Sequence, residues 1–169
     1  PTYQMAKMAE KKNVPFVICT ASADKITQRG WKNIYRLNPP ISEYTKGLED
    51  FWIKIYKPRS MAIINENSMF GTGGAIRMIE FCQEKAIEIR AHINYDRNMA
   101  TNPSYLTSLL APLTEETPDV IYMVAYLNDA VVLVKQLQAL NINSLLCGGA
   151  GGFTLEEFIT RVGDSANYL

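Results

Sequence analysis

The sequence predicts an α/β fold: a doubly wound parallel sheet in a three-layer α/β/α arrangement. Three observations carry this. Short apolar runs alternate with amphipathic helical segments along nearly all of the 169 residues. The segments between successive strands run to a dozen residues or more, the length a parallel crossover needs. One run, Glu88 to Tyr95, alternates apolar and polar residues, while the runs around it are apolar throughout. That combination places one half-wet edge strand beside strands buried on both faces.

The elements follow in order. Tyr3 to Lys12 carries Met5, Met8 and Ala9 at helical spacing, and Val14 to Cys19 reads as a buried strand with Pro15 near its start. Ser42 is a candidate N-cap for a helix through Tyr56, with Tyr44, Leu48, Trp52 and Ile55 on one stripe, ended by Lys57-Pro58-Arg59. Ser60 to Asn65 is a strand. Phe70 to Ala86 is a helix with Ile76, Ile79 and Phe81 inward. Asn102-Pro103-Ser104 opens a helix through Leu113, where the missing N–H of Pro103 costs little. After Thr117-Pro118-Asp119 come a buried strand from Val120 to Tyr126 and a helix capped by Asn128, holding Val131, Val134, Leu137 and Leu140. Ser144 to Cys147 is the last strand, and Thr154 with Glu157 has capping-box spacing for the last helix.

Composition excludes several function classes. Lysine plus arginine balance aspartate plus glutamate at 17 each, with no basic run of the kind nucleic-acid binders show. The longest apolar stretches are far too short to cross a bilayer. Pro1 opens the chain without a signal peptide, which says nothing of where the protein resides. Cys19, Cys82 and Cys147 are scattered without metal-type spacing and read as buried small hydrophobes.

The glycine motifs come next. Gly71-x-Gly73-Gly74 opens a helix after a strand, yet it has neither dinucleotide-fold nor P-loop spacing, so close packing is the favoured explanation. Gly148 to Gly152 lies at the carboxyl end of a strand, where open parallel sheets bind ligands; a ligand loop and a plain turn are both open readings. No catalytic constellation emerges. His92, the single histidine, falls on the wet face of the edge strand, and no nucleophile elbow or HExxH motif is present. Glu115-Glu116 and Glu156-Glu157 suit helix ends better than acid/base work. No cofactor and no metal are expected.

What remains is a recurrence of polar and aromatic groups at strand ends. Thr20, Ser22 and Asp24 follow one strand, Asn67, Ser68 and Phe70 another, and Tyr126 closes a third. Hydroxyls and free N–H groups beside aromatic walls suit a small polar or carboxylated solute.

These residues also carry a resemblance. Val14-Pro15-Phe16-Val17-Ile18, Ala21-Ser22 and Ile26-Thr27-Gln28-Arg29-Gly30-Trp31 resemble the segment before the hinge in solute receptors of branched-chain-amino-acid ABC importers. Tyr35-Arg36-Leu37-Asn38-Pro39-Pro40 resembles the hinge-crossing strand. Ser60 to Ile64, Phe70-Gly71, Thr117 to Tyr122 and Gly163-Asp164-Ser165-Ala166 resemble second-lobe landmarks.

The resemblance implies the type I periplasmic-binding-protein fold and a non-catalytic binding protein, periplasmic or extracellular. Such a protein delivers a small-molecule solute to ABC permease subunits; a ligand-sensing domain with the same fold is the alternative. Residues 1–38 then match the end of the first lobe with its hinge strand, and 39–169 nearly all of the second, so the chain reads as cut from something longer. It also implies ligand-binding roles for Thr20, Ala21, Ser22, Phe70, Tyr126, Gly149 and Ala150. Members that bind α-amino acids carry a carboxylate near Gly148-Gly149-Ala150, and this sequence has none there. An unpaired ammonium in a closing cleft costs several kcal/mol, which favours a carboxylated, neutral or aromatic solute. The segment from Pro1 to about Asn38, with its Val14 to Cys19 strand deprived of its sheet, is expected either to dock against a neighbouring copy or to be poorly ordered.

Overall fold

The computed structural model describes residues 1–149 and 151–166. Ala150 lies outside the described residues. Two parallel sheets organise the chain. The larger has four strands, β3 (Ser60–Glu66), β4 (Glu88–Tyr95), β5 (Val120–Val124) and β6 (Leu145–Gly148), in the order β4-β3-β5-β6. The smaller pairs β1 (Phe16–Ile18) with β2 (Ile34–Arg36). Pro39 and Pro40 lie between the two sheets along the chain, and α1 (Thr2–Lys11) packs on the smaller one through Ala6.

The doubly wound arrangement follows from burial on both faces of the larger sheet. Alternate residues of β3 and β5 point to opposite sides. Met61, Ile63, Val120, Tyr122 and Val124 join α3 (Met69–Lys85) through Ala75, Met78, Phe81 and Cys82. Ala62, Ile64, Ile121 and Met123 join α4 (Pro103–Leu110), α5 (Pro112–Glu115), α6 (Leu127–Ala139) and α7 (Glu156–Val162). β4 is the edge strand that its alternation predicts, with Glu88, Arg90, His92 and Asn94 exposed. A register shift between Met61 and Ala62 leaves Arg90 unpaired in the ladder, and its guanidinium donates to the Thr117 carbonyl at 2.6 Å.

Several local expectations are corrected. The Ser42–Tyr56 helix is instead a 3-10 turn (Ile41–Glu43), α2 (Lys46–Phe51) and a π-helix (Trp52–Tyr56). Ser42 donates its hydroxyl to Asp24 rather than capping, and the Lys57 N–H reaches the Trp52 carbonyl at 2.7 Å, five residues back. That widened turn breaks the stripe: Trp52 is fully buried while Ile55 is 71 % exposed. Ile76 also points outward, because the face of α3 toward the sheet is built from Gly71, Gly74, Ala75 and Met78, which let the helix approach closely. A Cβ on Gly74 would stand 3.0 Å from a Val124 methyl.

The helix expected from Asn102 to Leu113 breaks at Ala111, since Pro112 offers no N–H to continue it. Its Asn102 cap does form, accepting from the N–H groups of Ser104 and Tyr105. Asn128 lies inside α6 and accepts from Arg161 at 2.7 Å. Helix α7 starts at Glu156, so Thr154 does not cap it, and Glu157 pairs with Arg161. Cys19 falls beyond the end of β1 and is exposed, whereas Cys82 and Cys147 are buried.

Candidate functional site

The strand order reverses between β3 and β5: the chain leaves β3 for β4 on one side, then returns to β5 and β6 on the other. Helices α3 and α6 diverge onto opposite faces there. At such a switch point the carboxyl ends of the strands open a crevice, the usual ligand position in open parallel sheets. Phe70 and Tyr126 sit on either side of it, one in the first turn of α3 and the other at the start of α6. Their rings pack 5.3 Å apart at 39°.

This crevice belongs to a cleft of about 570 Å³ lined also by Thr20, Ala21 and Ser22 from the loop after β1. Five of the sequence-predicted residues, from both sheets, therefore share one concavity. Gly149 does not line it. It packs on Tyr122, whose hydroxyl would lie 2.0 Å from a Cβ placed there. Gly151 takes the position on the cleft wall, and Gly152 backs onto the β5–α6 junction, 2.5 Å from the Ala125 carbonyl by the same measure. The glycine run thus allows close packing beneath Tyr126, with one member reaching the cleft.

Ser68, one of the polar groups expected after β3, also lines the cleft, and so do Tyr44 and Arg97, which sequence reasoning missed. The Tyr44 hydroxyl lies 2.8 Å from that of Ser22, so the first-sheet loop is tied to the segment entering the second. Ser68 caps α3 by accepting from the Phe70 N–H at 3.2 Å. Arg97 lies in a 3-10 turn after β4, with its guanidinium carbon 3.8 Å from the Tyr126 ring centroid. Ser68 was readable from its place after a strand, whereas Tyr44 and Arg97 carried no such signal.

Two buried carboxylates stand behind the aromatic pair. Glu66 is fully buried and accepts from the N–H groups of Ser68 and Gly71, at 2.6 and 2.8 Å, and from the Ser68 hydroxyl. The amino end of α3 is thus occupied by the chain's own carboxylate, which explains Gly71-x-Gly73-Gly74 without a phosphate. Asp129 accepts from the Tyr95 hydroxyl at 3.2 Å and lies 3.9 Å from Nε of Arg97. Burial raises the Asp129 pKa above the ordinary range, and the Tyr95 hydrogen bond and Arg97 oppose that rise. Burial likewise pushes the Tyr95 phenol up. His92 stays on the exposed face, its Nε2 2.9 Å from Asn65 Oδ1. Among the described residues no group of three or more His, Cys, Asp or Glu side chains is placed to hold a metal ion, and no helix is long and apolar enough to cross a membrane.

A parallel sheet with an aromatic-walled cleft at its switch point defines the class: this is the type I periplasmic-binding-protein fold. No protein-family model matches the chain. Leu/Ile/Val-binding protein homolog 7 of Brucella abortus is 26 % identical over 167 residues, covering 94 % of this chain and 41 % of that protein. The substrate-binding protein LivJ of Streptococcus pneumoniae, solved with isoleucine, aligns with a TM-score of 0.75 at 21 % identity, over 96 % of this chain and 44 % of LivJ. A solute-binding protein of an R. palustris ABC transporter, solved with benzoate, aligns with a TM-score of 0.79 at 20 % identity, over 95 % of this chain and 43 % of its own. The chain is similar to Leu/Ile/Val-binding proteins in sequence and to solute-binding proteins of ABC transporters in fold. It spans 41 % of the length of the Brucella protein.

Proposed function

We propose that this chain forms one wall of a cleft that closes on a small organic solute, for delivery to the membrane subunits of an ABC importer outside the cytoplasm. The observation that carries the reading is the convergence of Thr20, Ala21, Ser22, Phe70 and Tyr126 on one cleft at the topological switch point. The loop after β1 supplies hydroxyls, and the larger sheet supplies the aromatic pair.

Residues 1–38 act as the end of a first lobe with its hinge strand, and 39–169 as the second lobe. Support comes from the separate two-stranded sheet and the Pro39-Pro40 step between the sheets. Val17 and Tyr35, on the smaller sheet, are 52 % and 54 % exposed. An apolar sheet face that open is a docking surface for the rest of that lobe. Solute affinity then depends on both lobes, because closure buries the ligand on two sides.

Native mass spectrometry of the intact protein tests the reading. A retained small organic molecule, released on Phe70→Ala or Tyr126→Ala substitution, is the expected result. Retention unaffected by either substitution removes this cleft as the site.

A further inference from the structure

Resting on that solute-binding reading, we propose that Arg97 is the specificity-determining residue of the cleft. It selects solutes with a carboxylate and no neighbouring ammonium group, such as aromatic acids and branched 2-oxo acids.

Arg97 is the one charged side chain among the described residues lining the cleft. Its guanidinium lies over the Tyr126 ring, 3.8 Å from the centroid, which orients the planar fork. Asp129 meets it only through Nε, at 3.9 Å, beyond hydrogen-bond length. Among the described residues the two terminal nitrogens have no hydrogen-bond acceptor, and the side chain is 49 % exposed. A carboxylate is the group that such a fork takes up in two parallel hydrogen bonds. The hydroxyls of Thr20, Tyr44 and Ser68 supply further polar groups, and Phe70 with Tyr126 forms an apolar slab for the body of the solute.

A solute ammonium finds no counterpart. No carboxylate lines the cleft among the described residues. The two buried acids behind it are already engaged, Glu66 by three donors at the start of α3 and Asp129 by Tyr95 and Arg97. An ammonium brought beside Arg97 meets a like charge while losing its water, which disfavours a zwitterion against the matching acid.

Titration calorimetry on the intact protein with 4-methyl-2-oxopentanoate, benzoate and leucine tests this. The expected result is that one or both acids bind more than about tenfold tighter than leucine. Arg97→Gln should weaken acid binding on the order of 10- to 100-fold and erase the preference. Arg97→Lys, which keeps the charge without the fork, should fall between them. Leucine binding tighter than both acids, or acid affinity unchanged in Arg97→Gln, overturns the role of Arg97 and leaves the cleft reading intact. No binding of any probe, with no solute retained in native mass spectrometry, overturns both.

Discussion

Gly71→Ala and Gly47→Ala place the same methyl group in two helices and should move stability in opposite directions. At Gly71 a Cβ would lie 2.2 Å from the Glu66 carbonyl oxygen and 2.7 Å from Glu66 Oε1, where real contacts essentially never fall under 3.0 Å. The first of these is backbone, so no rotamer relieves it. Either α3 shifts outward or the Gly71 N–H loses its 2.8 Å bond to the Glu66 carboxylate. Overpacking costs about 1–3 kcal/mol. A lost hydrogen bond to a charged group costs about 1.5–3 kcal/mol. The gain from alanine over glycine in a helix is about 1 kcal/mol. Whichever way the clash is relieved, the net is a loss of roughly 0.5–2 kcal/mol. At Gly47, exposed in α2, nothing lies within 4 Å, so only the propensity gain remains. Stability there should rise by roughly 0.5–1 kcal/mol. Urea unfolding of both variants in the intact protein gives the answer. Gly71→Ala as stable as the parent would refute the close approach of α3 to the end of β3.

Three further outcomes follow from particular contacts. Phe70→Ala removes one ring of the aromatic pair and should weaken solute binding about tenfold or more, by calorimetry against the retained solute. Native protein should react with a thiol reagent at Cys19 alone of its three cysteines, because burial pushes Cys82 and Cys147 up to about 11 while Cys19 is exposed; rapid loss of all three thiols would contradict the packing. Hydrogen bonds from the Arg59 and Ser60 N–H groups hold the Asp119 pKa below its ordinary value. Its stabilisation is therefore present above the unfolded-state pKa and lost as pH falls through the folded one. Asp119→Asn should cost about 1 kcal/mol at neutral pH, discounted for exposure, and the gap from the parent should close in acid; a gap constant with pH counts against it.

The sheet was legible because its signals are local. The alternation from Glu88 to Tyr95 reports one wet face directly, and the unbroken run from Val120 reports two dry ones. Helix boundaries were less so, because tertiary partners reassign the capping side chains. Ser42 serves Asp24, Asn128 serves Arg161, and Glu157 serves Arg161 rather than a backbone N–H. A hydrophobic stripe assumes regular winding, and the π-helix at Trp52–Tyr56 removes that regularity. In the cleft, Phe70 and Tyr126 were readable because each directly follows a strand. Arg97 was not. It lies in a short turn after the edge strand, and only the sheet order brings it onto the Tyr126 ring. Gly149 shows the converse: its place in a loop at a strand end suggested a ligand, but Tyr122 packs against it.

The most direct measurement is a crystal structure of the intact protein with the solute it retains. Solute density is predicted between the Thr20–Ser22 loop and the Phe70–Tyr126 pair, with its carboxylate within hydrogen-bond distance of the Arg97 guanidinium. Density at any other place on the chain, or a carboxylate turned away from Arg97 toward the glycine loop, would contradict the account.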